Sequence, residues 1–419
     1  MNKKIRIVII IFLVMVLIFL VGSLLYKDNL EQKEENKIRN TITEIKKHYN
    51  NKVITDKETK LYILNNNNYE EVGMVSNNIL LSLKDININT ETKYFITDTF
   101  SEEYYIYYED VIPSNDTEEV DYRYRNYIPF DENIVTGDIT EFYSDGNLIY
   151  RFNKSFDLPV IIKEDNSYFV EFNNRLLEVK KDNVVNTYSN NNSEIEKAKS
   201  IRVIAYHAFY DKYDENEKWC RTEICHPTTQ VEEQSKYLKE NNYFTLNTKE
   251  LSWFIDGKIN VPKKSIMITI DDGLLAERGL EVFDRYELNA TLFLITSLYK
   301  PESYIKSKYI EYHSHGNDLH KVGVCPGGQG GGIKCLDKNV LIEDLKTSSE
   351  ILGGSTVFCY PFYEFNNYSI SVLKEAGYTM AFAGLVGNGR VTTGTNKYII
   401  PRYTITSDVS LEKFIDIVK

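Results

Sequence analysis

The sequence predicts a multidomain chain: an N-terminal membrane helix, an all-β region, and a C-terminal α/β domain with a mainly parallel sheet or barrel. Three observations carry this. Ile7–Tyr26 runs without a charge, long enough to cross a hydrocarbon core as a helix. From Lys52 to about Val185 the apolar pattern has a period of two, with short strands set between Asn, Asp and Gly clusters. From Ile201 onward short β-branched runs alternate with helical patterns. At 419 residues several domains are expected, with segments 1–6, 7–26, 27–51, 52–186, 187–200 and 201–419.

Lys3, Lys4 and Arg6 precede the apolar run, and Lys27, Asp28, Glu31, Glu34 and Glu35 follow it. Positive-inside bias makes residues 1–6 a cytoplasmic stub and places everything after Tyr26 outside the cell membrane. A cleaved signal peptide competes with this reading, but the run exceeds an h-region and no Ala-x-Ala site follows. The net charge of −12 argues against nucleic acid or anionic lipid as the main partner. Cys220 with Cys225, and Cys325 with Cys335 inside a Gly-rich loop, can each close a small disulfide outside the cell. Cys359 is left over in an apolar run as a buried thiol. A zinc site built from these cysteines is the rival, and no Cys-x-x-Cys spacing supports it.

Asn29–Asn50 is charged and rich in helix formers, with Leu30, Ile38, Ile42 and Ile45 as apolar teeth. It reads as a stalk helix, with room for weak self-association. In the β region, Tyr104–Val111 and Tyr168–Val184 share a layout of Tyr/Phe-rich strand and closing Asp-containing turn. This strand rhythm resembles bacterial SH3-like modules, which often bind cell-wall peptides; a β spacer without ligand is the alternative. Thr187–Ser200 is polar and forms the linker.

Four stretches of the α/β domain carry chemistry. Ser265–Ile270 is an uncharged strand, buried on both faces by its pattern, that stops at Asp271, Asp272 and Gly273. A parallel barrel keeps its chemistry at the C-terminal rim, where these acids would sit; a plain turn is the other reading. Glu311–His320 holds half of the six histidines. Imidazole is the commonest metal ligand near neutral pH. Two His and one acid leave open positions on zinc, with the second acid free as a base. A solvent-exposed His-rich turn explains neither the clustering nor the acids. Thr356–Tyr363 is an apolar strand broken at Pro361, and a backbone N–H just past the break suits an oxyanion. Ile201–Tyr206 is the opening strand and ends at His207, on the same rim as Asp271 if the sheet is parallel.

In this order the motifs resemble the polysaccharide deacetylase (NodB-homology) family over about Ile201–Lys419, most closely its extracellular poly-N-acetylglucosamine deacetylases. The resemblance rests on Tyr206-His207, Tyr237–Asn241, Asp271-Asp272-Gly273, Ala290–Phe293, Ser314–His320 and Tyr360–Phe362. It implies a distorted (β/α)7 barrel that hydrolyses the N-acetyl amide of a sugar in peptidoglycan or poly-N-acetylglucosamine. It further implies Asp271 as general base, and Asp272, His315 and His320 as ligands of a divalent metal, zinc first. The Phe362 N–H would hold the oxyanion, and Arg402 would orient Asp271 and lower its pKa. His207 would be the general acid, because no His follows His320 to fill the usual later position. Three positions depart from the family: Ile270 for Phe, Gly316-Asn317 for a larger pair, and Tyr363-Glu364 where Gly is customary. An O-acetyl esterase and a non-catalytic wall-binding protein are the competing functions.

Overall fold

The computed structural model describes residues 3–85, 94–97, 103–116, 122–190, 195–211, 213–220, 222–384 and 388–419, with the side chains of 3–8 and 85 excepted. The expected stub, with Lys3, Lys4 and Arg6, falls outside the described side chains. The chain forms two compact units. The first contains residues 1–122, 132–160 and 164–190, and the second contains 123–131, 161–163 and 191–419.

In the first unit, helix α1 runs unbroken over Lys3–His48. Its N-terminal part is long and apolar enough to cross a membrane, a test that a signal sequence also passes. Ile38, Ile42 and Ile45 recur at helical spacing and are buried, whereas Leu30 is exposed. Three of the four apolar teeth therefore pack within this unit. The strands pair antiparallel and turn tightly where Asn or Asp accepts a left-handed backbone. Asn66-Asn67, Asp145-Gly146 and Asn173-Asn174, all at positive φ, close two-residue hairpins. Strand Tyr104–Tyr107 runs through a 3-10 turn, Tyr108–Asp110, into Val111–Pro113. Arg175–Lys180 likewise runs through Lys181–Asn183 into Val184–Ser189, but there the Tyr/Phe-rich strand, Ser167–Phe172, stands one hairpin earlier, so the two stretches share the closing turn and not the whole layout.

The second unit is built on six parallel strands: β1 (Ile201–Tyr206), β2 (Ser265–Ile270), β3 (Ala290–Leu294), β4 (Ile310–Ser314), β5 (Val357–Cys359) and β6 (Met380–Phe382). They lie side by side in chain order. Every residue of β1 and β2 is buried, as expected for strands covered on both faces. Helices α2 (Thr228–Glu240), α3 (Thr248–Ile255), α4 (Glu277–Arg285), α5 (Lys338–Ile351), α6 (Asn367–Glu375) and α7 (Leu411–Val418) accompany the sheet. Ile400 bridges Phe382 of β6, and Tyr403–Thr404 pairs with Ile204–Ala205 of β1. One short segment thus spans the two edges, and the sheet curls toward closure. Cys220–Cys225 and Cys325–Cys335 are bonded, and Cys359 is free and buried.

Candidate active site

The side chains that gather here follow the C-terminal ends of the parallel strands, except Arg402, which comes from the segment that spans the two sheet edges. Asp271 follows β2 and keeps its backbone in register by donating to Tyr206 O at 3.0 Å. Its carboxylate is buried and meets Arg402 as a fork: Nη1 to Oδ1 at 2.6 Å and Nη2 to Oδ2 at 2.8 Å. Arg402 is itself buried, fixed by Nε donating to Ala383 O at 2.8 Å. The Cys359 thiol at the end of β5 lies 3.5 Å from both Asp271 oxygens and accepts from Arg402 Nη2 at 3.0 Å. Burial raises the Asp271 pKa, but the Arg402 charge and hydrogen bonds outweigh it and hold the carboxyl below its usual range. Burial pushes the Cys359 thiol up.

Asp272, next in sequence, turns the other way. Its φ of 71° and the 106° of Gly273 bend the chain sharply out of β2. A Cβ on Gly273 would lie 2.8 Å from Leu294 and 2.9 Å from the Tyr304 hydroxyl, so glycine is required there. Asp272 Oδ1 is buried and makes no hydrogen bond among the described residues. His315 Nε2 and His320 Nε2 face it at 3.3 and 3.2 Å. His315 Nδ1 lies 2.9 Å from Cys359 O, which can only accept, so this nitrogen donates and in the neutral ring Nε2 carries the lone pair.

The three atoms lie within 4.8 Å of one another. Two donors, each about 2.0 Å from one tetrahedral ion, stand about 3.3 Å apart, the spacing found here. A carboxylate oxygen facing two imidazole nitrogens fits a divalent metal once both rings are neutral. The six-residue stretch from His315 to His320 is shaped by α5, where Asp344 accepts from Asn317 N at 2.8 Å and Asp318 N at 2.7 Å.

His207 follows β1, with Nε2 3.9 Å from Asp271 Oδ2 and 3.3 Å from the Tyr363 hydroxyl. Burial lowers its pKa, with Asp271 and Asp272 pulling partly against that. Phe362 and Tyr363 follow β5 at φ 57° and 61°. The Phe362 ring lies against His320, tilted by 41° with centroids 4.2 Å apart. Glu364 accepts from Gln329 N at 2.6 Å and Gly331 N at 2.7 Å and pairs with Lys334 at 2.9 Å, pinning the disulfide-closed loop beside Phe362.

Asp271, Asp272, His207, His315, His320, Phe362 and Arg402, all singled out in the sequence, therefore share one rim. Cys359 was foreseen as a buried thiol but not as a neighbour of Asp271. Tyr363 and Glu364 stood out only as departures from a pattern. Asp344 carried no signal, because its partners are backbone N–H groups.

Residues 258–381 match the polysaccharide deacetylase family model. YxkH of Bacillus subtilis (strain 168), which carries the polysaccharide deacetylase designation, is 22% identical over 199 residues, 45% of this chain and 68% of that protein. The deacetylase PplD of Streptococcus pyogenes, solved with acetate, is 15% identical with a TM-score of 0.43, covering 54% of this chain and 99% of its own. A polysaccharide deacetylase from Bacillus cereus is 17% identical with a TM-score of 0.43, covering 81% of this chain and 99% of its own. The second unit carries a polysaccharide deacetylase domain of the NodB-homology type.

Proposed function

We propose that this chain is a membrane-anchored, metal-dependent deacetylase whose catalytic domain lies outside the cell and removes N-acetyl groups from an N-acetylglucosamine-containing envelope polymer. One observation carries the reading: the partnerless Asp272 Oδ1 converges with two imidazole nitrogens beside a carboxylate held by an arginine fork. Asp272, His315 and His320 would hold the ion, most simply zinc. An ion bound there would supply polarisation of the acetyl carbonyl and acidify a water. Asp271 would take a proton from the attacking water. Held anionic by Arg402, it is a weak base, which suits a water already acidified. The Phe362 N–H receives the developing oxyanion. His207, close to Asp271 Oδ2, passes a proton to the leaving amine as the C–N bond breaks.

The domain is read as a distorted (β/α)7 barrel, with Ile400–Thr404 as the seventh stave. The first unit, with its short antiparallel strands and 3-10 closing turns, is read as SH3-like and wall-facing. The test is acetate release from chitooligosaccharides and peptidoglycan by the protein from Asn50 onward, with zinc and after chelation. Release that requires metal and is lost in Asp271→Asn and His207→Ala supports the assignment. Release that survives His207→Ala removes the acid role from that residue. Acetate released from O-acetylated glycans but not from N-acetylated ones would make the enzyme an esterase.

A further inference from the structure

Tyr363 replaces the glycine that the family resemblance leads one to expect, and the surrounding structure is fitted to its side chain. A Cβ on Gly384, just past β6, would lie 2.3 Å from the Tyr363 ring, so that glycine makes the space the ring occupies. Gly384 is not among the residues at positive φ, so its backbone does not demand glycine. The Arg402 guanidinium sits over the ring at 5.2 Å from its centre. Tyr363 and Phe362 both hold left-handed backbones, which non-glycine residues adopt only when the surroundings impose them. The outcome of this arrangement is a hydroxyl 3.0 Å from Thr404 Oγ1 and 3.3 Å from His207 Nε2. The other imidazole nitrogen, Nδ1, is buried without a partner, so among the described residues the tyrosine hydroxyl is the hydrogen-bonding neighbour of this ring.

We propose that Tyr363 is a positioning residue for His207: its hydroxyl, anchored on Thr404, fixes the imidazole with Nε2 turned toward Asp271. The proposal rests on the deacetylase reading for the role of His207, not for the contact itself. A ring restrained at one nitrogen keeps its second free to turn unless the restraint is directional. The Thr404–Tyr363 contact gives it direction by fixing where the hydroxyl points. A glycine at position 363 would supply no such hydrogen bond.

The test uses the full-length, detergent-solubilised, zinc-loaded protein and Tyr363→Phe, which keeps the ring against Gly384 and Arg402 and removes only the hydroxyl. The kcat for acetate release is expected to fall about tenfold with KM within about twofold, since misplacing an acid–base group slows the proton step rather than binding. In a His207→Ala background the same substitution is expected to cost less than about twofold, because its effect passes through the imidazole. The His207 imidazole nitrogen resonances, assigned by their loss in His207→Ala, should move in Tyr363→Phe and, to a smaller degree, in Thr404→Val. Wild-type kcat in Tyr363→Phe, an equal loss in both backgrounds, or unmoved His207 resonances would each overturn the proposal. If the wild-type protein releases no acetate from any acetylated glycan, the deacetylase reading fails, while the resonances still decide whether Tyr363 holds the ring.

Discussion

Asp271 and Asp272 are adjacent and chemically identical, yet the fold gives them opposite surroundings. Asp271 is held by Arg402 and Cys359, while Asp272 keeps an oxygen that makes no hydrogen bond among the described residues and faces two imidazoles. That divergence is what the proposed split between a base and a ligand rests on. It also makes Arg402→Met a sharp test, since removing one partner of a buried pair costs about 3–5 kcal/mol. Urea unfolding should show that loss, and acetate release should fall with it; Arg402→Met with Asp271→Asn together should recover part of the stability. A second residue-level prediction concerns His226, which is fully buried and has its pKa pushed down to about 4 by burial, against a contact to Gln230. Between about pH 6.5 and 4 the unfolded chain binds a proton there that the folded chain refuses, so stability falls as pH drops through that window. The loss is on the order of 3 kcal/mol, and His226→Gln should flatten the midpoint-versus-pH curve over that range. Asp271, Asp272 and His207 were legible because they follow short apolar runs, and His315 and His320 because three of the six histidines cluster in one stretch. Cys359 beside Asp271, and His226 in the core, were not, because a contact across 88 positions leaves no local pattern.

At the scale of elements, the strands that carry the site were the most legible part. Ser265–Ile270 and Ile201–Tyr206 begin and end where their β-branched runs do. Ile310–Ser314 was hidden because its Glu, Tyr, His and Ser read as chemistry rather than as a strand. Helices α3 and α7 were hidden because eight-residue helices give little periodicity to read. What positions His320 is neither a strand nor a motif but the clamp from α5. Burial pushes the Asp344 carboxyl up, and the N–H groups of Asn317 and Asp318 draw it back. In Asp344→Asn one of those N–H groups meets an amide N–H₂ instead of an oxygen. Zinc affinity should drop about 10–100-fold, as for other outer partners of metal ligands; competition with a chromophoric chelator measures it, and unchanged affinity would show that the loop holds itself. Glu364→Ala releases the loop closed by Cys325–Cys335. Proteolysis within 325–335 should quicken, and the KM for polymer should rise while kcat changes little.

At the scale of the whole molecule, composition divides the chain near 187–200, but contacts divide it differently, because Arg123–Asp131 and Ile161–Lys163 pack with the second unit. The reason lies in Glu250, buried at 1% exposure, whose carboxylate completes the capping box of α3 with Asn247. Arg123 meets that carboxylate from both Nε and Nη2 at 2.5 Å and also donates to Thr245 O at 2.6 Å. Tyr127 adds a hydroxyl bond to Glu250 at 2.8 Å. Nothing in a polar stretch of the β region announces this, since its partner lies 127 residues away. A fragment beginning at Ile201 therefore keeps the whole proposed active site but strips Glu250 of its cation and of the Tyr127 hydroxyl. The expected cost is about 3–5 kcal/mol, or a thermal midpoint lowered by about 10 °C for a unit of this size. Both tryptophans, Trp219 and Trp253, belong to the second unit, so their fluorescence follows its unfolding alone. The midpoint of the 201–419 fragment should fall below that of the chain from Lys27, and Arg123→Met in the longer chain should lower it by a comparable amount. Equal midpoints for all three would mean that Glu250 finds another partner, and that the catalytic unit ends where composition places its boundary.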